Sequence, residues 1–347
     1  MGFPERDILA VVDHGGSLGR ARALFPDAPE PWVDLSSGIN PHSYPHFELP
    51  ATALTRLPEA SRHQELSAIA ARAYGAPSAE HVVAAPGTQI LLPLVHALRA
   101  PGRALVLAPT YAEHRRAAAL CGHDAREAKD FDALVEGDLA IVVNPNNPDG
   151  RVISRGLLLD LAARLRRKGG LLVVDEAFMD VGPRDQSLCG DVGEGGIVVL
   201  RSFGKFFGLA GVRLGFAVAA SDVAKRLEDR LGPWSVAGPA LEYGIRALGD
   251  AGWTEAMRAR LQADAARLDA LFCSYGLNVD GGISLFRHIT TPLAQPLFEA
   301  LGRQGVLIRS FDGRPNVLRV GLPGSPDEWA RLDAGLAVFS AGAGASR

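Results

Sequence analysis

Residues 197–219 read IVVLRSFGKFFGLAGVRLGFAVA: two apolar runs, Ile197–Leu200 and Leu214–Ala219, joined by aromatic and glycine residues around a single lysine. Short, almost wholly apolar runs of this kind suit strands covered on both faces. Lys205 follows the first run. Lysines are rarely fully buried, because stripping water from an ammonium is expensive. Apolar surroundings favour the neutral amine, which can attack an aldehyde. Ser202 and Arg213 supply donors suited to a phosphate, and the intervening glycines let backbone approach closely. A bare SxxK is as easily a surface turn, so the rest of the chain has to decide.

Outward from this stretch, from about Ala84 to Ala220, short apolar runs alternate with helical patterns. That is the mark of an α/β fold with a mainly parallel sheet. Expected strands are Ala104–Ala108, Leu139–Val143, Leu171–Val174, Ile197–Leu200 and Leu214–Ala219, with helices at Gln89–Arg99, Ala112–Cys121 and Gly156–Lys168. Ligands of such folds sit where strand carboxyl ends meet helix N-termini. Beyond the helical stretch Asp222–Leu231, a long helix over Gly252–Tyr275 is followed by short strands at Ile283–Ile289, Val306–Arg309 and Val317–Leu322. Helices at Leu293–Arg303 and Pro326–Phe339 alternate with them, the pattern of a smaller α+β domain. The expected division is an N-terminal arm over 1–50 that contributes to the small domain and the active site, a large domain over 51–235, a small domain over 236–340 and a flexible tail over 341–347.

Composition narrows the function classes. The 347 residues are 47% hydrophobic and 22% charged with net charge −3, which excludes the basic footprint of a nucleic-acid binder. The three cysteines, Cys121, Cys189 and Cys273, are scattered, which argues for reduced thiols in a cytoplasm and against a disulfide framework or a metal site. The opening MGFPERDILA is no secretory signal, and no stretch approaches the roughly 18 apolar residues of a membrane span.

Four segments, in order along the chain, resemble one superfamily. SFGKFFGLAGVRLGF (residues 202–216) resembles the cofactor-lysine motif of fold-type I pyridoxal-phosphate enzymes, the aminotransferase class I/II superfamily. Asn144-Pro145-Asn146-Asn147-Pro148-Asp149-Gly150 resembles its NPNNPTG turn. Val174-Asp175-Glu176-Ala177-Phe178 resembles its DEAY/F motif, and Gly87-Thr88-Gln89 its phosphate-binding turn. The resemblance implies pyridoxal 5′-phosphate as cofactor, held covalently by Lys205, with Asn147 on the ring's 3′-oxygen and Tyr111 stacked on the ring. It also implies a homodimer.

The residues support those roles. Asp175 follows LLVV, so its carboxylate leaves a strand at its carboxyl end, where a partner for a pyridinium nitrogen belongs. Gly87-Thr88-Gln89 opens an apolar helix whose free N–H groups and dipole favour phosphate. Arg319 lies in the apolar strand Asn316–Gly321, and Arg309 follows Val306–Ile308. Neither guanidinium can shed its charge, so each needs an anionic partner. In the superfamily the arginine matching Arg319 clamps the substrate carboxylate, and Arg309 suggests a second anionic group on the substrate.

Two segments point to one branch. Asp13-His14-Gly15-Gly16-Ser17 and Asp34-Leu35-Ser36-Ser37-Gly38-Ile39-Asn40-Pro41 resemble the HGG…DFSxNINP start of the L-threonine-O-3-phosphate decarboxylases of cobalamin biosynthesis, and Tyr111–Ala117 resembles that family's F/YAEYRRAL. The expected substrate set is therefore His14, Gly15, Asn40, Asn147, Arg309 and Arg319, with a small phosphorylated amino acid as the ligand. Histidinol-phosphate aminotransferases, the nearest alternative, usually lack the HGG. Two departures stand out against those relatives: Leu57 replaces the tyrosine of a Tyr-Pro pair, and Phe178 replaces a tyrosine hydroxyl.

Overall fold

A computed structural model describes residues 8–9 and 15–345. They form two compact units. The larger holds residues 8–9, Tyr44–Asn147 and Arg151–Gly252; the smaller holds residues 15–43, Pro148–Gly150 and residues 253–345.

The larger unit is built on a seven-stranded sheet. Its spatial order is Val82–Ala85, Gly215–Ala219, Ile197–Ser202, Leu171–Asp175, Leu139–Val143, Arg103–Leu107 and Asp124–Ala128. Gly215–Ala219 runs antiparallel to both neighbours, and the remaining pairings are parallel. The central strands are apolar because helices cover both faces: Ile141, Val142, Val173, Val174, Val198 and Val199 are fully buried. Each such side chain contributes about 1.5–3 kcal/mol relative to exposure. The helix Arg155–Arg167 buries Leu158, Leu161, Ala162 and Leu165, one face at helical spacing, and Ser154 caps its start by accepting from the Leu157 N–H.

The expected strands of this sheet recur within one or two residues. The two edge strands, Val82–Ala85 and Asp124–Ala128, are not among those expected. Asp124–Ala128 (DAREA) lacks β-branched residues and is a strand only because it pairs in parallel with Arg103–Leu107. Register then decides what the sheet presents. Val143 pairs with Asp175 and Asp175 with Leu200, so Asn144, Asp175 and Ser202 leave the sheet at one common edge.

The smaller unit carries a four-stranded antiparallel sheet in the order Arg309–Phe311, Arg314–Gly321, Phe286–Thr290, Gly281–Ile283. The helices Ala294–Arg303 and Pro326–Ala345 and most of Ala251–Ser274 belong to it. Here the sequence reading needs correction. The expected single strand Ile283–Ile289 is a hairpin, with Gly281–Ile283 folded back on Phe286–Thr290. The expected strand Val306–Arg309 breaks at Ile308: Val306–Leu307 pairs in parallel with Val33–Asp34, while Arg309–Phe311 joins the larger ladder. Two-residue strands are too short to leave a periodic pattern. Among the described residues no helix is long and apolar enough to cross a membrane.

Candidate active site

In the larger unit the carboxyl edge of the sheet gathers the predicted cofactor residues. Ile197–Ser202 ends and the chain turns at once into the one-turn helix Phe203–Phe206, so half-buried Lys205 is presented just past the strand. Gly204 is required there, since a Cβ would lie 2.7 Å from the Ala210 Cα. The Lys205 Nζ stands 5.7 Å from the centre of the Phe178 ring.

Asp175 ends the adjacent strand and is buried. Its Oδ1 accepts from the Ala177 N–H at 2.9 Å, and its Oδ2 lies 2.8 Å from His114 Nε2. His114 is completely buried and stands on the helix Glu113–Leu120, three residues after Tyr111. Sequence reasoning gave it no role, and its only signal was a position one helical turn beyond an aromatic site residue. The next residue along from Asp175 behaves oppositely. Glu176 is wholly buried, accepts from Ser187 Oγ, the Leu188 N–H and Arg201 Nη1, and has its carboxyl pushed up by burial. Successive side chains face opposite ways, so one carboxylate serves the site and its neighbour anchors the following loop.

The turn Gly87-Thr88-Gln89 opens the helix Thr88–His96, and no side chain caps it. Gly87 has φ +88°, and a Cβ there would meet Arg213 Nη2 at 2.7 Å, so the guanidinium of Arg213 lies directly on the turn. Gly215 packs as closely from the other side, where a Cβ would be 2.5 Å from the Thr88 N. Ser202, register partner of Gly215, completes the group. Helix N–H groups, a hydroxyl and a guanidinium around a tight glycine cradle are the donor chemistry that suits a phosphate.

Gln89 reaches elsewhere with its side chain. Tyr111 Oη donates to Gln89 Oε1 at 3.1 Å, and Gln89 Nε2 donates to Glu113 Oε2 at 2.9 Å, which also takes Arg116 Nη1 at 3.1 Å. Burial, then Glu113, holds the Tyr111 phenol well above its ordinary range, so it remains a donor. Its ring meets His114 edge-on at 6.0 Å. Of the three asparagines in the following turn, Asn144 brackets Ile153 through both its side-chain atoms, and Asn146 joins Thr110 Oγ1 to the Pro109 carbonyl. Asn147 is the half-buried one, in keeping with a ligand role.

The predicted substrate residues fall in the smaller unit, apart from Asn147. Arg319 is buried and Arg309 is its register partner on the neighbouring strand, so both side chains lie on one face. Burial, reinforced by Arg309 and partly offset by Asp34, holds the Arg319 guanidinium down to about 10. Burial also lowers Arg309, with Asp312 opposing and Arg20 adding to the effect. Two cations on one sheet face are the chemistry of an anion site. Arg319 donates from Nη2 to the Ser36 carbonyl. Asn40 is buried and its Oδ1 accepts from the His42 N–H at 2.8 Å. Gly15 lies against Ser36. His14 lies outside the described residues.

Residues 31–332 match the family described as aminotransferase class I and II. The chain belongs to that family. A Pseudomonas aeruginosa family member named threonine-phosphate decarboxylase is 42% identical over 332 residues, 95% of this chain and 98% of that protein. One of the same name from Sinorhizobium sp is 42% identical over 321 residues, 92% of this chain and 95% of that one. The fold is that of the histidinol-phosphate aminotransferase of Sinorhizobium meliloti solved in complex with pyridoxal-5′-phosphate, with TM-score 0.80, 18% identity and coverage of 98% of this chain and 99% of that one. The larger unit's residues suit such a group: an uncapped helix start with Arg213 for a phosphate, a buried carboxylate for a ring nitrogen, and an amine beside it.

Proposed function

We propose that this chain is a pyridoxal-phosphate-dependent carboxy-lyase that converts L-threonine O-3-phosphate to (R)-1-aminopropan-2-ol O-phosphate and carbon dioxide, a step of cobalamin biosynthesis. The observation that carries the reading is 42% identity, over nearly the full length of both chains, to a threonine-phosphate decarboxylase. The strand-end lysine and its neighbouring carboxylate support it chemically.

Pyridoxal 5′-phosphate, when bound, supplies an electron sink for the pair left when a bond to the substrate's Cα breaks. Lys205 is the residue to hold it covalently and to deliver the proton that Cα takes up in place of the carboxylate. Gly87, Thr88, Gln89, Ser202 and Arg213 would hold its phosphate, Thr88 and Gln89 through backbone N–H groups at the helix start and Gly87 by leaving room, its own N–H donating to the Ala85 carbonyl at 2.7 Å. Asp175, oriented by His114 and the Ala177 N–H, would serve as the partner of the ring nitrogen. Tyr111 would stack on the ring and Asn147 would bond the ring oxygen. Arg319 takes the substrate carboxylate and Arg309 its phosphate, with His14, Gly15 and Asn40 completing the substrate set. The protein is read as a cytoplasmic homodimer.

Purified holoenzyme given O-phospho-L-threonine should release carbon dioxide with no oxo-acid present. An absolute requirement for 2-oxoglutarate would convert the reading to a histidinol-phosphate-type aminotransferase.

A further inference from the structure

Ser36 belongs to none of the groups assigned so far, yet every polar atom it has is engaged. Its side chain is buried. Its Oγ donates to Asp34 Oδ1 at 2.6 Å, and its own N–H donates to the same oxygen at 2.8 Å. With that proton committed to a carboxylate, the hydroxyl oxygen accepts from the Gly16 N–H at 2.7 Å. Its carbonyl receives Arg319 Nη2. The segment bearing Ser36 is itself pinned: Leu35 N–H donates to the Leu307 carbonyl at 2.8 Å, and Gly321 N–H donates to the Leu35 carbonyl at 2.6 Å.

The glycine before Gly16 records how close this approach is. A Cβ at Gly15 would stand 2.3 Å from the Ser36 carbonyl oxygen, 2.8 Å from its carbon and 3.0 Å from its Oγ. Gly15 is thus a glycine because Ser36 sits upon it, whereas Gly16 takes a left-handed φ of +90°. One residue therefore touches the Gly15–Gly16 turn with its side chain and the Arg319 guanidinium with its main chain.

We propose that Ser36 is a positioning residue for substrate recognition, setting the spacing between the Gly15–Gly16 turn and the Arg319 guanidinium so that one ligand can engage both. The inference rests on the decarboxylase reading only for the identity of that ligand. Asp34 contributes by orienting the hydroxyl. Loss of one of these hydrogen bonds lets the turn and the guanidinium shift relative to one another, and the ligand registers it as weaker binding.

The test uses holoenzyme and O-phospho-L-threonine as the probe, with binding measured by calorimetry and turnover by carbon dioxide release. Ser36→Ala is expected to weaken binding roughly tenfold and to raise KM to match, with kcat changed less than about threefold. The cofactor's visible absorbance should stay as in the parent. Ser36→Thr, which restores the hydroxyl, is expected to recover most of the affinity. Gly15→Ala, which drives a methyl into the Ser36 carbonyl, should weaken binding at least as much as Ser36→Ala, and it carries the test if that variant does not fold. Unchanged affinity in Ser36→Ala or Gly15→Ala, or a Ser36→Thr no better than Ser36→Ala, overturns the proposal. A parent enzyme that binds the probe without releasing carbon dioxide overturns the decarboxylase reading instead and leaves the Ser36 comparison intact.

Discussion

The two sheets of this protein place charge in opposite ways. In the seven-stranded sheet the central strands are apolar along most of their length, and their charged groups gather near the carboxyl ends, at Asp175, at Arg201 with its carboxylate partners Glu176 and Asp180, and at Lys205 just beyond Ser202. In the four-stranded sheet Arg319 sits inside a strand, and Arg309 faces it from the next. A strand covered on both faces carries an ion only where carboxylates pair with it, as Glu176 and Asp180 do for Arg201, because desolvation of an unpaired charge is costly. Its chemistry is pushed to the edge, where a loop and a helix start supply partners. A sheet with a face open to a ligand can hold cations along a strand, provided an anion arrives to meet them. The larger unit accordingly carries the groups proposed for bond breaking, and the smaller one those proposed to choose the substrate.

That contrast can be broken by substitution, beginning with the largest effect. Lys205→Ala should leave no pyridoxyl adduct in mass spectra of the borohydride-reduced protein and should cut carbon dioxide release by about 10⁴-fold or more. Asp175→Asn keeps the shape and removes the charge; it should lower kcat roughly 10²- to 10³-fold while KM for O-phospho-L-threonine hardly moves. Arg319→Gln should do the reverse, reducing kcat/KM by about 100-fold mainly through KM. If Asp175→Asn acts on KM and Arg319→Gln on kcat, the division between the two sheets is wrong.

Two smaller effects sharpen the picture of the larger unit. His114→Phe removes the 2.8 Å contact to Asp175 and should reduce kcat about tenfold, with a shifted pH profile for the cofactor's absorbance. His96, buried behind His114 with ring centres 5.9 Å apart, has its value lowered to about 3 by burial, with His114 and His123 adding to the effect. The unfolded chain takes up that proton near pH 6.5, so His96 adds full stability only above that pH, and the contribution is lost as pH falls toward 3. At pH 5 the loss is about 2 kcal/mol. His96→Phe should flatten that part of a urea-melt series across pH, and an unchanged slope would show that His96 is not its source.

Legibility followed the same divide. The strand-end motifs could be read because each is a contiguous run in which an apolar stretch, a turn and a reactive side chain specify one another locally. Most of the larger unit's strands therefore lay within one or two residues of their expected positions. The hairpin at Gly281–Thr290 and the break at Ile308 could not be read, since both depend on short strands whose partners lie elsewhere in the chain. His114 was hidden for a related reason: inside YAEHRRAA it is one polar residue on an amphipathic helix, and only folding brings it to a carboxylate 61 positions away.

By itself, then, the amino-acid order determined the α/β class, the lysine, the aspartate, the turn that opens the Thr88–His96 helix, and the need of two arginines for anions. The class follows from hydrophobic periodicity, and the arginines' need from the cost of an unpaired charge. The lysine, the aspartate and the turn are marked by short contiguous motifs that resemble the superfamily's. All act over a few residues. Tertiary structure alone decided that Asp175 turns to His114 while Glu176 turns to Arg201, and that Arg319 meets Ser36 across 283 residues of chain. Periodicity tells a side chain which face to bury, but the partner it finds there is set by strand order and register, which are properties of the assembled sheet.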